Sequence, residues 1–355
     1  MILTYLAFIL AMFFAMNIGA SGAAATMGPA YGSQAIKRKQ VALVIAGIGA
    51  FLGATLGGGQ VVKTVGEGII PTHIFSVEVA IVILLSATLT LFLANVIGIP
   101  LSTSEVTIGA VVGVGMAFQV LFVNNVLYII SFWVIVPVVA FIACFIFGKL
   151  IQFSEHRFPQ LKGEGKWKKW LSILLIITGF TEAFAAGMNN VANAIGPLVG
   201  AQLIDGTSGI IMGAFFVFLG ACFLGGKVLE TNGKKITSFS LLQGTAVSGT
   251  GGGLVIIASI FGIPVPLTQA TTAGIVGVGC AENGFQLWQK DVIKKIIKVW
   301  LVSPVLSLVM SYTLIHLFLL PNPYIVAVMI FMIISTIGTI SLYRSVKIEK
   351  ETLDH

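Results

Sequence analysis
A Gly/Pro-punctuated stretch covering residues 19–36 returns without a gap at residues 187–204, about 168 positions later. Gly19/Gly187, Ala24/Ala192, Gly28/Gly196, Pro29/Pro197, Gly32/Gly200, Gln34/Gln202 and Ile36/Ile204 coincide. A second pair, residues 98–115 and 262–279, shares a Gly-Ile-Pro followed by hydroxyl side chains and a Val-Gly-Val-Gly ending. The chain is therefore a duplication, and whatever it folds into must be built twice. Small-residue, Gly/Pro-broken segments at matching places in two apolar halves point to a binding site at the interface between repeats.

The charges around the repeats set their relative orientation. Lys37, Arg38 and Lys39 follow the first motif, whereas Asp205, Gly206, Thr207 and Ser208 occupy the matching loop of the second copy. Further on the bias reverses: copy one has Asn124 and Asn125 where copy two has Lys290, Lys294, Lys295 and Lys298. Only 9% of the residues are charged and 57% are hydrophobic, too few charges for a water-facing surface. Apolar runs of bilayer-crossing length recur throughout. In a membrane, equivalent loops of opposite charge bias lie on opposite sides. The expected fold is an all-α polytopic membrane protein: two inverted-topology repeats with broken or re-entrant helices plus one extra C-terminal helix, about eleven crossings. The organisation reads as repeat one over residues 1–150, a cytoplasmic basic linker over 151–169 and repeat two over 170–320. An unmatched apolar run, 321–343, and a cytoplasmic tail, 344–355, complete it. The basic loops place the N-terminus outside and the C-terminus in the cytoplasm, in a cell-membrane protein.

The formal net charge of +7 reflects bases in short loops between spans, which argues against a nucleic-acid partner. Cys144, Cys222 and Cys280 fall in apolar stretches without a CxxC pair and read as small apolar residues. The apolar N-terminal run has no preceding base and carries one copy of the repeat, so it reads as a retained membrane helix. The hydrophilic residues 152–169 read as a solvated link between halves.

Two constellations carry chemistry. Asn189, Asn190 and Asn193 lie in the second copy of the small-residue motif, where Ser21 is the polar residue of the first. Pro29 and Pro197 are expected to break the helix there, exposing N–H groups that suit an anion. Ser102, Thr103, Ser104 and Glu105, with Thr107, match Thr268, Gln269, Thr271 and Thr272 in the second copy. Any one hydroxyl could be an ordinary helix cap. Their recurrence in inverted halves favours a shared central site.

These paired motifs resemble those of the inorganic phosphate transporter (PiT) family, whose members have Gly-Ala-Asn-Asp-Val-Ala-Asn-Ala in both halves. Residues 187–194 are a near match, with Asn190 at the family aspartate. Residues 19–26 depart further, with Ser21, Gly22 and Ala25 at the first Asn, the Asp and the second Asn, and Glu105 stands where the family has His. The degenerate first copy resembles the sulfate permease branch. The resemblance implies a secondary transporter importing sulfate, or a related tetrahedral oxyanion, by symport with H+ or Na+ and without a further cofactor. Protonated phosphate can donate to a carboxylate, whereas sulfate only accepts, so losing both motif aspartates suits sulfate. The same loss could instead reflect altered cation coupling. Alternatives are an inorganic phosphate:cation symporter, an anion channel, and a membrane enzyme acting on a lipid phosphate; the sequence lacks a P-loop or nucleophile–base pair for the last.

The expected substrate-binding set is Ser21, Ser102, Thr103, Ser104, Asn189, Asn193, Thr268 and Gln269. The expected cation-coupling set is Glu105, Glu182, Asn190 and Asn17. Glu78 and Glu282 read as acids near helix ends, and His73 and His316 as boundary residues. Other partners are membrane lipid and, as an option, a second copy of the chain. Inversion has a direct test: single cysteines at Lys39 and Thr207, in a chain lacking the native three, should react with an impermeant reagent from opposite membrane faces. Labelling of both from one face rejects inverted repeats.

Overall fold
In the computed structural model, which describes residues 1–97, 101–163, 165–235, 240–285, 291–332 and 335, all regular structure among the described residues is helical. Among the described residues, eight helices are long and apolar enough to cross a membrane. In chain order, repeat one contains α1 (Ile2–Thr26), α2 (Gly28–Gly32), α3 (Lys39–Gly57), α4 (Gly59–Glu67), α5 (Val77–Ile97), α6 (Thr103–Phe118) and α7 (Val123–Arg157). Repeat two contains α8 (Gly165–Gly200), α9 (Gly206–Leu224), α10 (Gly226–Glu230), α11 (Leu241–Ile260), α12 (Leu267–Asn283) and α13 (Asp291–Phe318). A last apolar helix, α14, is described over Pro323–Met332. The rest of that run, the 344–355 tail, Lys290, and Gly98, Ile99 and Pro100 of the second motif lie outside the described residues.

Glycine dictates how the halves meet. At Gly53 of α3, a Cβ would run into the carbonyl of Phe184 in α8; at its counterpart Gly220 of α9, into the carbonyl of Met16 in α1. Gly187 lies likewise against the Ala50 carbonyl, and its counterpart Gly19 against that of Val217. Gly66 faces Gly196 and Gly200 as Gly233 faces Gly28 and Gly32. Each helix thus packs on the other repeat, and the exchange is repeated under two-fold symmetry. Small residues allow this because membrane helices gain stability from close backbone approach.

The symmetry is an inversion. The equivalent helices α3 and α9 run antiparallel: Leu43, near the start of α3, meets Gly225 just beyond α9, and Gly47 meets Phe218. One face of the molecule gathers Lys39 with Glu230 (2.8 Å), Lys227 with the Val96 carbonyl (2.8 Å) and Lys149 with the Ala281 carbonyl (2.7 Å). At the other face Phe122 N–H donates to the Ile69 carbonyl and Asn125 to that of Gly68. The chain leaves α5 at the lysine face and enters α7 at the opposite one, so the short α6 must carry it back. Among the described residues, four long helices and the short α6 or α12 thus make five per repeat, which with α14 matches the expected eleven or so crossings.

The proline expectation needs correction in copy two. Pro197 lies inside α8, in the last turn before the helix ends at Gly200: it withholds one N–H from the helix ladder but does not break the helix. Copy one instead has a π-turn over Gly19–Ala23, a break at Met27, and Pro29 at the start of α2. In copy two the chain leaves helical geometry at residues 261–266, immediately before α12. The hydrophilic link is also mostly helical: α7 extends to Arg157, a 3-10 turn covers Pro159–Lys162, and α8 begins at Gly165. Glu78 accepts from Ser76 in the first turn of α5, and Glu282 accepts from Gln243 near the end of α12.

Gly53→Ala or Gly220→Ala should lower the thermal unfolding midpoint of the purified protein, because each methyl must displace backbone, at about 1–3 kcal/mol. Gly59→Ala, whose Cβ would meet open space, should leave it unchanged.

Candidate functional site
Where the chain turns before α6 and before α12, buried backbone groups lose their helical partners, and each repeat meets this with one motif side chain. Ser21 Oγ donates to the Leu101 carbonyl (2.9 Å) and accepts the Leu101 N–H (3.3 Å). Its counterpart Asn189 donates through Nδ2 to the Ile263 carbonyl (2.9 Å) and to Ser259 Oγ (2.9 Å), and accepts Val265 N–H at Oδ1 (3.0 Å). Ser21 and Asn189 therefore clamp the two helix starts in place.

Around these clamps the hydroxyls converge. Ser104 Oγ donates to Asn189 Oδ1 (3.3 Å), while Asn193 Nδ2 donates to Thr103 Oγ1 and Ser104 Oγ (both 3.2 Å). Thr268 Oγ1 donates to the Leu101 carbonyl already held by Ser21 (3.0 Å), joining the start of α12 to that of α6. Ser102 Oγ accepts the Glu105 N–H (3.3 Å) as the N-cap of α6. Gln269 Nε2 donates to Glu105 Oε2 at 2.5 Å, so two counterpart positions of the inverted repeats meet directly. All eight residues expected to bind substrate are at most 5% exposed and belong to this one assembly. The structure brings all eight together, and it separates Ser21 and Asn189, which bond backbone, from residues that bond one another's side chains, a division the sequence does not show.

The cation-coupling set does not form one cluster. Glu105 is central. Glu182, fully buried, accepts from Thr271 Oγ1 and lies against Gly251 and Gly252 between α8, α11 and α12. Its Oε2 has no hydrogen-bond partner among the described residues. Asn190 faces Gly22 so closely that a Cβ there would stand 2.7 Å from Asn190 Nδ2. These are the two positions where the resembling family carries aspartates, and here they meet as an amide against a bare glycine. Asn17 lies apart, one turn before the motif: its Nδ2 donates to the Phe13 carbonyl (2.9 Å), and its own carbonyls accept from Asn95 (3.0 and 3.2 Å).

Ser259 was not anticipated, nor were the backbone groups of Leu101, Ile263 and Val265. Alignment of the copies carries a signal for Ser259, which stands opposite Asn95 as a polar residue in an apolar helix.

Chemically, the assembly presents two helix N-termini, hydroxyls and amides in a water-poor interior, a setting for a small anion. Two buried carboxylates stand beside it, each bonded to neutral partners.

Comparison with known proteins agrees with this architecture. The profile of the phosphate transporter family matches residues 18–311. Sulfate permease CysP of Bacillus subtilis (strain 168) is 52% identical over 347 residues, spanning 98% of this chain and 97% of the relative. A putative phosphate permease of Pyrococcus furiosus is 27% identical over 371 residues, covering 81% of this chain and 90% of its own. A solved structure titled as the sodium-dependent phosphate transporter superposes with a TM-score of 0.78 at 23% identity, covering 91% of this chain and 100% of that one, and shows the same fold.

Asn189→Ala should destabilise the purified protein by roughly 2 kcal/mol or more, because it leaves the Ile263 carbonyl and Val265 N–H buried without their partner. Ser104→Ala, which removes two long side-chain hydrogen bonds (3.3 and 3.2 Å) and takes no partner from the backbone, should shift thermal unfolding far less. Equal shifts would show that Asn189 is not a clamp.

Proposed function
The chain belongs to the phosphate transporter family of multi-pass membrane transporters, and from that premise we propose that it imports sulfate by secondary active symport with H+ or Na+. The observation that carries the choice of anion is the meeting of Gly22 with Asn190. A carboxylate there would accept a hydrogen bond from hydrogen phosphate but would only repel sulfate. An amide facing glycine removes that repulsion. The relative at 52% identity is named a sulfate permease, which supports the same choice.

The anion is held at the facing starts of α6 and α12. Ser104 and Thr268 turn their hydroxyls from protein acceptors to sulfate, joined by the Thr103 hydroxyl and Asn193, while Ser21 and Asn189 hold the backbone. Ser102 caps α6, and Gln269 restrains Glu105. Sulfate stripped of water needs several donors at once, since each missing hydrogen bond costs about 1–3 kcal/mol.

Coupling falls to the buried acids. A carboxylate bonded to neutral groups in a water-poor interior is stabilised by accepting a proton or holding a cation. Glu105 is placed to sense the anion, being fixed to α12 through Gln269, and Glu182 offers an oxygen without a hydrogen-bond donor among the described residues. Importing a dianion against an inside-negative potential costs about 4.6 kcal/mol per 100 mV. Three or more accompanying positive charges make the step electrically driven. The lysine face carrying Lys39, Lys149 and Lys227 is cytoplasmic by the positive-inside rule, which puts the N-terminus outside.

Proteoliposomes with separately imposed sodium and pH gradients test this reading. Labelled sulfate should accumulate above its external level under one gradient, with phosphate a weak competitor. Ser104→Ala should reduce uptake roughly tenfold at equal membrane levels. Glu105→Gln should change the pH or sodium dependence while retaining sulfate binding. Passive equilibration would make the protein a channel, and accumulation of phosphate in preference to sulfate would overturn the choice of anion.

A further inference from the structure
At the lysine face, a cavity of about 320 Å³ opens between α1, α3, α5, α9 and α10. Lys39 and Lys227 stand at its rim and Asn17 and Asn95 deeper within. Lys39 is matched by Glu230, but among the described residues Lys227 donates to the neutral Val96 carbonyl alone, so their lining of the cavity keeps a net positive charge. Asn95 Oδ1 is buried and has no hydrogen-bond donor among the described residues. The remaining wall is apolar and faces outward: Phe223 is 76% exposed, and Phe92, Val96 and Leu224 are exposed beside it.

We propose that this cavity holds the headgroup of an anionic phospholipid carrying a hydroxyl, of the phosphatidylglycerol type, in the leaflet at the lysine face. The phosphodiester lies between the Lys39 and Lys227 ammonium groups. The headgroup hydroxyl donates to Asn95 Oδ1, and an acyl chain follows Phe92 and Phe223 into the bilayer. The apolar outer wall selects a lipid over a free inorganic anion, which would gain nothing from Phe223 or Leu224. Basic pockets between membrane helices are a known way of binding anionic headgroups.

The internal symmetry supplies an independent argument. The positions equivalent to Lys39, Lys227 and Asn17 are Gly206, Gln60 and Ala185, at the opposite face. The opposite junction has Lys63 where this one has Glu230, but neither of the paired lysines, so two ammonium groups facing one cavity are confined to one leaflet. The cavity also touches α1 one turn before Ser21, so its occupant contacts the helix that clamps the central site.

The test uses the full-length protein in phosphatidylcholine vesicles containing a minor fraction of spin-labelled phosphatidylglycerol. The wild type should retain phosphatidylglycerol over labelled phosphatidylcholine by roughly ten- to thirty-fold, the scale expected of two lysines near a surface. Lys227→Gln combined with Lys39→Gln should bring that ratio close to one, and Lys227→Arg alone should preserve it. A wild type that does not discriminate, or a double variant that keeps the full ratio, overturns the proposal. So does displacement of the labelled lipid by sodium sulfate beyond that caused by sodium chloride of equal ionic strength, which would make the cavity a station for the free anion. Should the double variant fail to fold, the wild-type ratio and the sulfate competition still decide.

Discussion
Backbone N–H and C=O groups placed in a membrane interior must be satisfied by protein, and the architecture follows from where this chain leaves helical geometry. The segments before α6 and α12 each require a polar side chain able to bond both a carbonyl and an N–H. Ser21 does this with one hydroxyl acting in both senses, and Asn189 with the two ends of its amide. Because each clamp comes from the first helix of its own repeat, the clamps fix α6 against α1 and α12 against α8. The Gly-to-carbonyl contacts then lock the repeats together. The central assembly is thus a consequence of satisfying the backbone, and the donors it gathers are available at low additional cost.

Departures from symmetry show where function has been written onto a duplicated frame. Glu105 faces Gln269, Gly22 faces Asn190, and Asn193 has only Ala25 as its counterpart. A perfectly symmetric site would have placed two acids side by side at the first of these pairs, where like charges resist joint ionisation. Replacing one by an amide turns repulsion into a hydrogen bond and leaves a single titratable group at the meeting point of the repeats. The lysine-lined cavity is asymmetric in the same sense, since its counterpart at the opposite face carries neither lysine.

Much of the fold was legible because membrane constraints are written locally. Long apolar runs give helices, opposite loop charges give the inversion of the repeats, and matched glycines reveal the duplication. The proline reading failed in copy two because Pro197 sits in the last helical turn of α8, a context that spacing does not show. The four residues expected to couple a cation separated for a similar reason. Glu105, Glu182 and Asn17 are all polar residues in apolar helices, but helix rotation aims them into different surroundings.

The sequence by itself determined that the protein is built from two inverted copies, that small residues bring helices into contact, and that hydroxyls and amides gather at the repeat interface. These properties depend on composition, spacing and charge, which survive in one dimension. Only the tertiary structure decided which of the gathered residues hold backbone and which bond other side chains. It also decided that Gly22 meets Asn190 and that Glu105 meets Gln269. Such distinctions depend on partners far apart in the chain, 74 residues for Asn189 with Ile263 and 167 for Thr268 with Leu101, and a partner is chosen by geometry that no single stretch of chain contains.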